Sequence, residues 1–544
     1  MIKRLAPVIS VIIIAVIFRF FLLTSYPVSL QLDEINIGYN AYSILKTGKD
    51  EWGEAFPLAF KSYGDFKAPV NVYLTSASIF VFGLTEFAVR LPSALFGALS
   101  VPIFILLLKE LGVSKRAYIF GGLWLSVLPW HVHYSRGGFE AVTSLFLTLA
   151  GVFAFYRSIN TVASQKTSYT YFLVSVVSFA LSVWAYHSNR VFVPLLFIFL
   201  LYTHRRQVRK LVDTKKRLAL GLAILAVLGL PFAYLMFFTP AITTRALSTS
   251  ILRDPGLIPN LHNGNYASMG ELVFDNDIYL IFRHWLGKYL NYFDLRLWFW
   301  KGLQLTPSEL PGIGLLYLVD LPLILFGMYR TVFSKNKRLR DLAIFWFFAG
   351  PFAASLAMNE QHPLRAMVWI PFFGIVATVG FDSFIKSVRG NWLKIVSLGY
   401  AAALTFNIIY FGDIYLRQFP RFFSEFWQYG YEELSLFVCD NHDKYDEIFI
   451  TDTYGTEGPV NTGVPYVYYL FYCRVDPASF VANGRNIPKV SVKRPDWKLD
   501  STRQSALLVG TPFDFPEKEV LGNLLLRQID YLNGSPAFYI VEIK

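Results

Sequence analysis

The sequence predicts a polytopic α-helical membrane protein with a small α/β domain at its C-terminal end. Three observations carry this. Apolar runs, most of them about 18 residues or longer, recur through the first three quarters of the chain, and a run of that length spans ~30 Å of hydrocarbon. Charged residues make up only 16% of the 544, against ~25% in an ordinary soluble protein. Basic residues collect in clusters between the runs, in a pattern that fixes orientation.

The runs lie at about 5–23, 70–83, 88–108, 117–131, 139–156, 169–186, 191–203, 217–238, 312–329, 342–358, 364–384 and 393–411. The first, Leu5–Leu23, follows Lys3 and Arg4. It is too long for a signal-peptide core and no small-residue cleavage site follows it, so it reads as a retained span. The second, Val70–Gly83, is about 14 residues, short for a crossing. Basic clusters stand at Lys109–Arg116, Arg157–Lys166, His204–Arg217, Arg330–Arg340 and Lys386–Lys394. If 70–83 lies along the outer surface, all five share a side with Lys3 and Arg4, the cytoplasm; if it crosses, all five move outside. The charge pattern therefore predicts about 11 transmembrane helices, N-terminus in and C-terminus out. It also accounts for the net charge of +12 without nucleic acid.

This organisation gives a membrane-embedded unit over 1–412 and an extracytoplasmic domain over 413–544. Within the first unit, 24–87 is an outer loop with juxtamembrane helices and 239–311 is a large outer loop. In the C-terminal domain "EIFITDTY", "ALLVGTP" and "AFYIVEI" read as strands, and "VPYVYYLFYCRV" as either a helix or a buried strand. The only two cysteines, Cys439 and Cys473, both fall there; an oxidising compartment would allow them to pair, but two isolated cysteines do not decide it.

With that topology, polar residues gather at the outer face. Segment 29–48, "SLQLDEINIGYNAYSILKTG", presents Asp33 and Glu34 directly after the first span. Tyr63, Asp65 and Lys67 follow in the same loop, and Arg90 opens the next span. "WHVHYSRGGFEA" adds Tyr134, Arg136 and Glu140, "YHSNR" adds His187 and Arg190, and "NEQHPLR" adds Arg365. Carboxylates and guanidinium groups at a membrane boundary are costly unless paired or hydrated, so their convergence points to a functional site. Each also has a plainer reading. Asp33 fits a helix cap as well as it fits a catalytic carboxylate. Glu34 fits a first-turn residue favoured by the helix dipole. Arg90 and Arg19 fit boundary arginines that snorkel. The histidines fit interfacial hydrogen bonding better than metal binding, since no "HExxH" or comparable spacing is present. Neither a phosphate-cradling "GxxxxGK[ST]" nor a dinucleotide "GxGxxG" after a strand occurs, which argues against a nucleotide-driven pump.

"LDE…Y…A…ILKTGKD", "YGDFKAPVNVYL", "GLTEFAVRLPSALFGALSV" and "HYSRGGFEA", in this order, resemble the membrane glycosyltransferases of the GT-C class. The similarity is to bacterial relatives of the protein O-mannosyltransferases and of the aminoarabinose–lipid A transferase (glycosyltransferase families 39 and 83). It is dense from Gln31 to Pro194 and returns weakly at "HPLRAMVWIPFFG". The resemblance implies a sugar donor linked through phosphate to a polyprenol, a hydroxyl acceptor on a protein, lipid or glycan, and reaction at the extracytoplasmic face of the cell membrane with inversion. It implies Asp33 as general base, with Glu34 and Glu140 as further catalytic carboxylates. It implies Lys67 and Arg90, then Arg136 and Arg365, as cations for the donor phosphate, with Tyr63, Tyr134 and His187 as candidates for substrate contact. Lys67-Ala68-Pro69 stands where many relatives have two prolines after the lysine, and Glu140 where many have aspartate. Metal dependence varies across the class, so no metal or other cofactor is assigned and a divalent ion stays open.

Two other readings remain at this stage. One is a polymerase or ligase of GT-C type that moves whole glycans from a polyprenyl diphosphate; a large outer cavity roofed by 239–311 would favour it. The other is a non-catalytic carrier of lipid-linked glycans, which would call for charged or broken-helix sites near the bilayer midplane.

Overall fold

The computed structural model describes residues 2–62, 64–161, 164–300, 310–358, 361–461, 465–516, 518–520 and 524–544. Tyr63 lies outside the described residues.

Helix α1 (Ile2–Phe20) is followed by a turn-rich segment and then by α2 (Leu32–Thr47), which Gly48 ends in the left-handed conformation (φ +69°). A two-residue hairpin follows, β1 (Phe60–Lys61) with β2 (Phe66–Lys67), in which Phe60 pairs with Lys67 and Lys61 with Phe66. Helix α3 (Pro69–Phe82) starts on a proline, whose fixed φ suits a first helical position. Its 14 residues extend ~21 Å, less than a bilayer core. Helices α4 (Glu86–Glu110), α5 (Lys115–Val127), α6 (Pro129–Arg136), α7 (Glu140–Asn160), α8 (Gln165–Ala185) and α9 (Asn189–Thr203) complete the first half of the bundle.

Among the described residues, six helices are long and apolar enough to cross a membrane: 86–110, 140–160, 165–185, 215–238, 367–387 and 391–423. Shorter apolar helices lie at Leu5–Phe20, Pro69–Phe82 and Asn189–Thr203. The chain is thus a multi-pass membrane protein. Helix α7 packs along α4 and α8. Between α7 and α8 the contact is polar: Asn189 Nδ2 donates to Ser144 Oγ (2.5 Å), Ser182 Oγ (2.6 Å) and Thr148 Oγ1 (3.0 Å). Lipid offers no alternative partners to these groups, so the network fixes the register of the two helices. By contrast, nearly all residues of Lys215–Phe238 and of 391–410 keep some exposure, as suits helices solvated by lipid tails, whereas Phe411, Ile414, Tyr415 and Phe419 further along are buried in the core.

Two features differ from the sequence expectation. Helix Asn391–Asp413 does not stop near 412 but continues through a π-type turn, Ile414–Gln418, to Phe423. Segment 239–311 is not a plain loop: Pro240–Ser248 packs on β2, and Asp277–Asn291 is an amphipathic helix whose Trp285 and Tyr289 pack and hydrogen-bond towards 348–355.

The C-terminal segment contains a five-stranded mixed sheet. Glu447–Ile450 runs parallel to both Val490–Val492 and Ala506–Gly510; Pro536–Ile543 is antiparallel to Ala506–Gly510 and to Leu525–Asp530. The ambiguous "YVYYLFY" is a buried helix, Tyr466–Tyr472. Cys439 and Cys473 are joined in a disulfide, with Cα atoms 5.9 Å apart.

Candidate active site

The two adjacent carboxylates point in opposite directions. Helix α2 turns by about 100° per residue, so neighbouring side chains leave on different faces. Glu34 faces inward and is fully buried. Its Oε2 accepts from the Gln31 N–H (2.9 Å), closing the first turn, and its Oε1 accepts from Arg90 Nε (3.0 Å) and from the Gly138 N–H (2.8 Å). The cap of α2 is therefore Gln31, closed by Glu34, and Asp33 is not its cap. The fit at Gly138 is tight: a Cβ there would come within 3.2 Å of the Glu34 side chain.

Asp33 faces outward, with 47% of its side chain exposed, and pairs with the ammonium of Lys67. The lysine itself is buried behind it. Burial opposes the Lys67 charge, but Asp33 and then Glu140 outweigh it, so its pKa is raised and it stays cationic. Asp65 Oδ2 lies 3.8 Å from the same ammonium. Asn71, on α3, donates to the Gly138 carbonyl (3.1 Å) and accepts from Thr143 (3.0 Å), tying the lysine segment to the turn that starts α7. That turn brings Glu140 alongside Lys67, where it accepts from the Ala68 N–H. His187 hydrogen-bonds the Phe66 carbonyl, and Arg190 and Arg365 are close enough to act on its charge. The structure thus gathers Asp33, Lys67, Glu140, His187, Arg190 and Arg365 around the hairpin and the starts of α2 and α7.

Three arginines do different work. Arg90 is fully buried and donates, besides Glu34, to the carbonyls of Leu23 (2.9 Å), Thr24 (3.4 Å), Pro27 (2.8 Å) and Ser29 (2.5 Å). Arg136 donates to those of Phe18 (3.0 Å), Phe21 (2.7 Å), Leu22 (3.0 Å) and Tyr26 (3.1 Å). Arg19 donates to Ala15 (3.0 Å), Leu125 (3.2 Å) and Ser126 (2.9 Å), and lies 2.6 Å from His131 Nδ1. Snorkelling is overturned for Arg19 and Arg90: both are sequestered from solvent. The ends of α1 and α5 and the segment after α1 leave carbonyls short of helical partners, and these guanidinium groups bond to carbonyls there.

Tyr134 is buried and packs edge-on against His133 and Phe139, within an aromatic cluster that includes Trp427. Among the described residues, no group of three or more His, Cys, Asp or Glu is placed to hold a metal ion. Several buried carboxylates escaped the sequence reading, among them Glu51 and Asp320; Asp320 accepts from Trp124 Nε1 (2.8 Å) and the Tyr400 hydroxyl (2.7 Å). Its only signal was a lone acid inside the 312–329 run.

Comparison with known proteins agrees with this architecture. ArnT from Cupriavidus metallidurans, solved bound to undecaprenyl phosphate, is 16% identical, with a TM-score of 0.55 over 98% of this chain and 98% of that one. The archaeal oligosaccharyltransferase AglB from Archaeoglobus fulgidus, solved with an inhibitory peptide and a dolichol-phosphate, is 12% identical, with a TM-score of 0.55 over 96% of this chain and 70% of that one. No curated protein sequence matches. The chain therefore shares the fold of these two structures. Residues 66–234, which carry Lys67, Glu140, His187 and Arg190, match the dolichyl-phosphate-mannose-protein mannosyltransferase family, to which the chain is related through that segment.

Proposed function

We propose that the protein transfers a sugar from a polyprenyl-phosphate-linked donor to a hydroxyl acceptor at the extracytoplasmic face of the membrane, in one displacement with inversion. The observation that carries this is the ion pair between half-exposed Asp33 and buried Lys67. An alcohol is a poor nucleophile at neutral pH, and a positioned carboxylate that takes its proton contributes about 10²–10⁴-fold. The phosphate gains negative charge as the glycosidic bond breaks, and a cation already in place favours that transition state. An arriving donor phosphate draws Lys67 towards itself and leaves Asp33 free to accept the proton. Glu140 holds Lys67 from the other side, and Arg365 supplies a second cation. Glu34, Arg90 and Arg136 position the backbone around the site rather than touch substrate. The basic clusters on one side and the Cys439–Cys473 disulfide on the other support the assigned face.

A second reading, transfer of a larger glycan from a polyprenyl diphosphate, is favoured by one observation. A cavity of about 750 Å³ opens between Gly256–His262 and the polar stripe Arg283, His284, Gly287, Lys288 and Asn291.

The test uses purified protein in nanodiscs with a panel of radiolabelled polyprenyl-phosphate and polyprenyl-diphosphate sugars. Release of sugar from lipid by wild type, lost in Asp33→Asn at unchanged donor binding, is the expected result. Full turnover by Asp33→Asn overturns the assignment of the base, and turnover with diphosphate donors alone selects the second reading.

A further inference from the structure

The C-terminal segment reaches the back of the site at Arg485, where contacts to α2 and to the hairpin meet. Its guanidinium carbon sits 3.2 Å from the centre of the Trp52 ring, and its Nη2 donates to the Tyr466 hydroxyl (2.7 Å) and lies 3.8 Å from Glu51 Oε2. From there two chains of contact run forward. Glu51, fully buried, accepts from Tyr466 (3.0 Å) on one oxygen and from Asn36 (3.1 Å) and Asn40 (3.2 Å) of α2 on the other. Asn36 stands one turn after Asp33. Trp52 Nε1 donates to the Lys61 carbonyl (3.1 Å), and the Lys61 ammonium lies 4.0 Å from the same ring. Lys61 is on β1, the strand paired with the one that carries Lys67.

Two further observations bear on this contact. Arg485 has a φ of +63°, a conformation that L side chains rarely adopt, and the sequence places arginine there directly after Gly484. The C-terminal segment also grips the start of α2: Gln428 Oε1 accepts from the Leu32 N–H (3.2 Å), and the Tyr468 hydroxyl donates to the Leu30 carbonyl (3.1 Å).

We infer that Arg485 is a positioning residue for sugar transfer, through which the C-terminal domain sets the placement of Asp33 against Lys67. The inference rests on the proposed roles of that pair. Asp33 and Lys67 sit on separate elements, α2 and the hairpin, and both elements are anchored to the same guanidinium: one through Glu51, the other through Trp52. A displacement of about 1 Å between reacting groups is enough to cost on the order of 10²-fold in rate. The C-terminal domain is by this argument part of the catalytic centre.

The test compares full-length wild type with Arg485→Ala, Arg485→Lys, and a control, Arg494→Ala, whose side chain pairs with Asp514 away from the hairpin. Two readouts are taken in nanodiscs. Hydrogen–deuterium exchange over 32–47 and 60–67 needs no donor; Arg485→Ala raises it in both segments and Arg494→Ala in neither. Steady-state transfer gives a kcat lowered about 10–100-fold in Arg485→Ala, a donor KM within about threefold of wild type, and partial recovery in Arg485→Lys. Unchanged exchange in both segments, or a kcat in Arg485→Ala equal to wild type, overturns the inference. Failure of the catalytic reading is seen separately, as turnover by Asp33→Asn, and leaves the exchange result standing.

Discussion

Glu34 and Arg90 form an ion pair at 3.0 Å in which neither side chain reaches solvent. The pair joins the first turn of α2 to α4, and each partner also holds backbone: Glu34 the Gly138 N–H, Arg90 four carbonyls between Leu23 and Ser29. It is the joint on which the start of α2 is built, one residue from the half-exposed carboxylate of Asp33.

Breaking such a pair from one side leaves the other charge buried alone, at a cost of about 3–5 kcal/mol. Arg90→Leu and Glu34→Ala are therefore expected to lower the thermal melting point sharply and to reduce yield. The double variant Glu34→Gln/Arg90→Met, which removes both charges, is expected to be more stable than Arg90→Leu. Melts in detergent check this. A single variant that melts with wild type would place the pair outside the stability of the fold.

His187 provides a pH signature. Burial first, then the charges of Arg190, Lys67 and Arg365, push its pKa well below 6.5, against the opposing effect of the Phe66 carbonyl. The unfolded chain takes up this proton near 6.5 while the folded chain resists it. Stability from the neutral ring is thus fully present above 6.5 and declines as pH falls below it, towards the depressed folded value. Melting temperatures of wild type measured down to about pH 5 should fall more steeply than those of His187→Gln. Parallel curves would mean that His187 does not resist protonation in the folded protein.

Much of this arrangement was legible in the sequence, for identifiable reasons. The long apolar helices follow from apolar length, which is a local property. Asp33, Lys67, Glu140 and Arg365 were singled out together, and the structure brings them together. What sequence could not give is direction. Asp33 and Glu34 are chemically alike and adjacent, and only the packing of α2 decides which faces solvent. Arg19, Arg90 and Arg136 stand at boundaries, but most of their partners are main-chain carbonyls of residues 15–29 and 125–126, and a carbonyl leaves no mark in the sequence. Arg485 and Trp52 are far apart in the chain, so their stacking belongs to the tertiary structure alone.

The disulfide gives a prediction about sidedness. Cys439 and Cys473 are separated by 34 residues, and closing a loop of that size stabilises a chain by roughly 3–4 kcal/mol in the loop-entropy account. Cys439→Ser should lower the melting point of the C-terminal domain by on the order of 10 °C. In intact cells a membrane-impermeant phosphine reductant followed by an impermeant maleimide should label both cysteines of wild type. Labelling that appears only after permeabilisation would put the C-terminal domain, and the site it touches, in the cytoplasm.

The cations divide into two groups, and phosphate binding should separate them. Lys67 is buried behind a half-exposed carboxylate, and Arg365 acts on the same cluster; the proposed reaction has both meet an anion that enters beside Asp33. Arg136 instead spends its nitrogens on four carbonyls at the end of α1, and its guanidinium lies 5.3 Å from the Tyr415 ring. A charge-assisted hydrogen bond is worth about 1.5–3 kcal/mol, which is on the order of 10–100-fold in affinity. Lys67→Met should weaken binding of polyprenyl phosphate by that much, and Arg365→Met by several-fold, with melting points near wild type in both. Arg136→Met should do the reverse, losing stability while the protein that stays folded binds the lipid phosphate within about threefold of wild type. Binding to protein in nanodiscs, measured with a labelled polyprenyl phosphate beside a melt of each variant, separates the two behaviours. If Lys67→Met binds as wild type does while Arg136→Met does not, the phosphate lies towards the α1 end of the site and the roles of the two residues are exchanged.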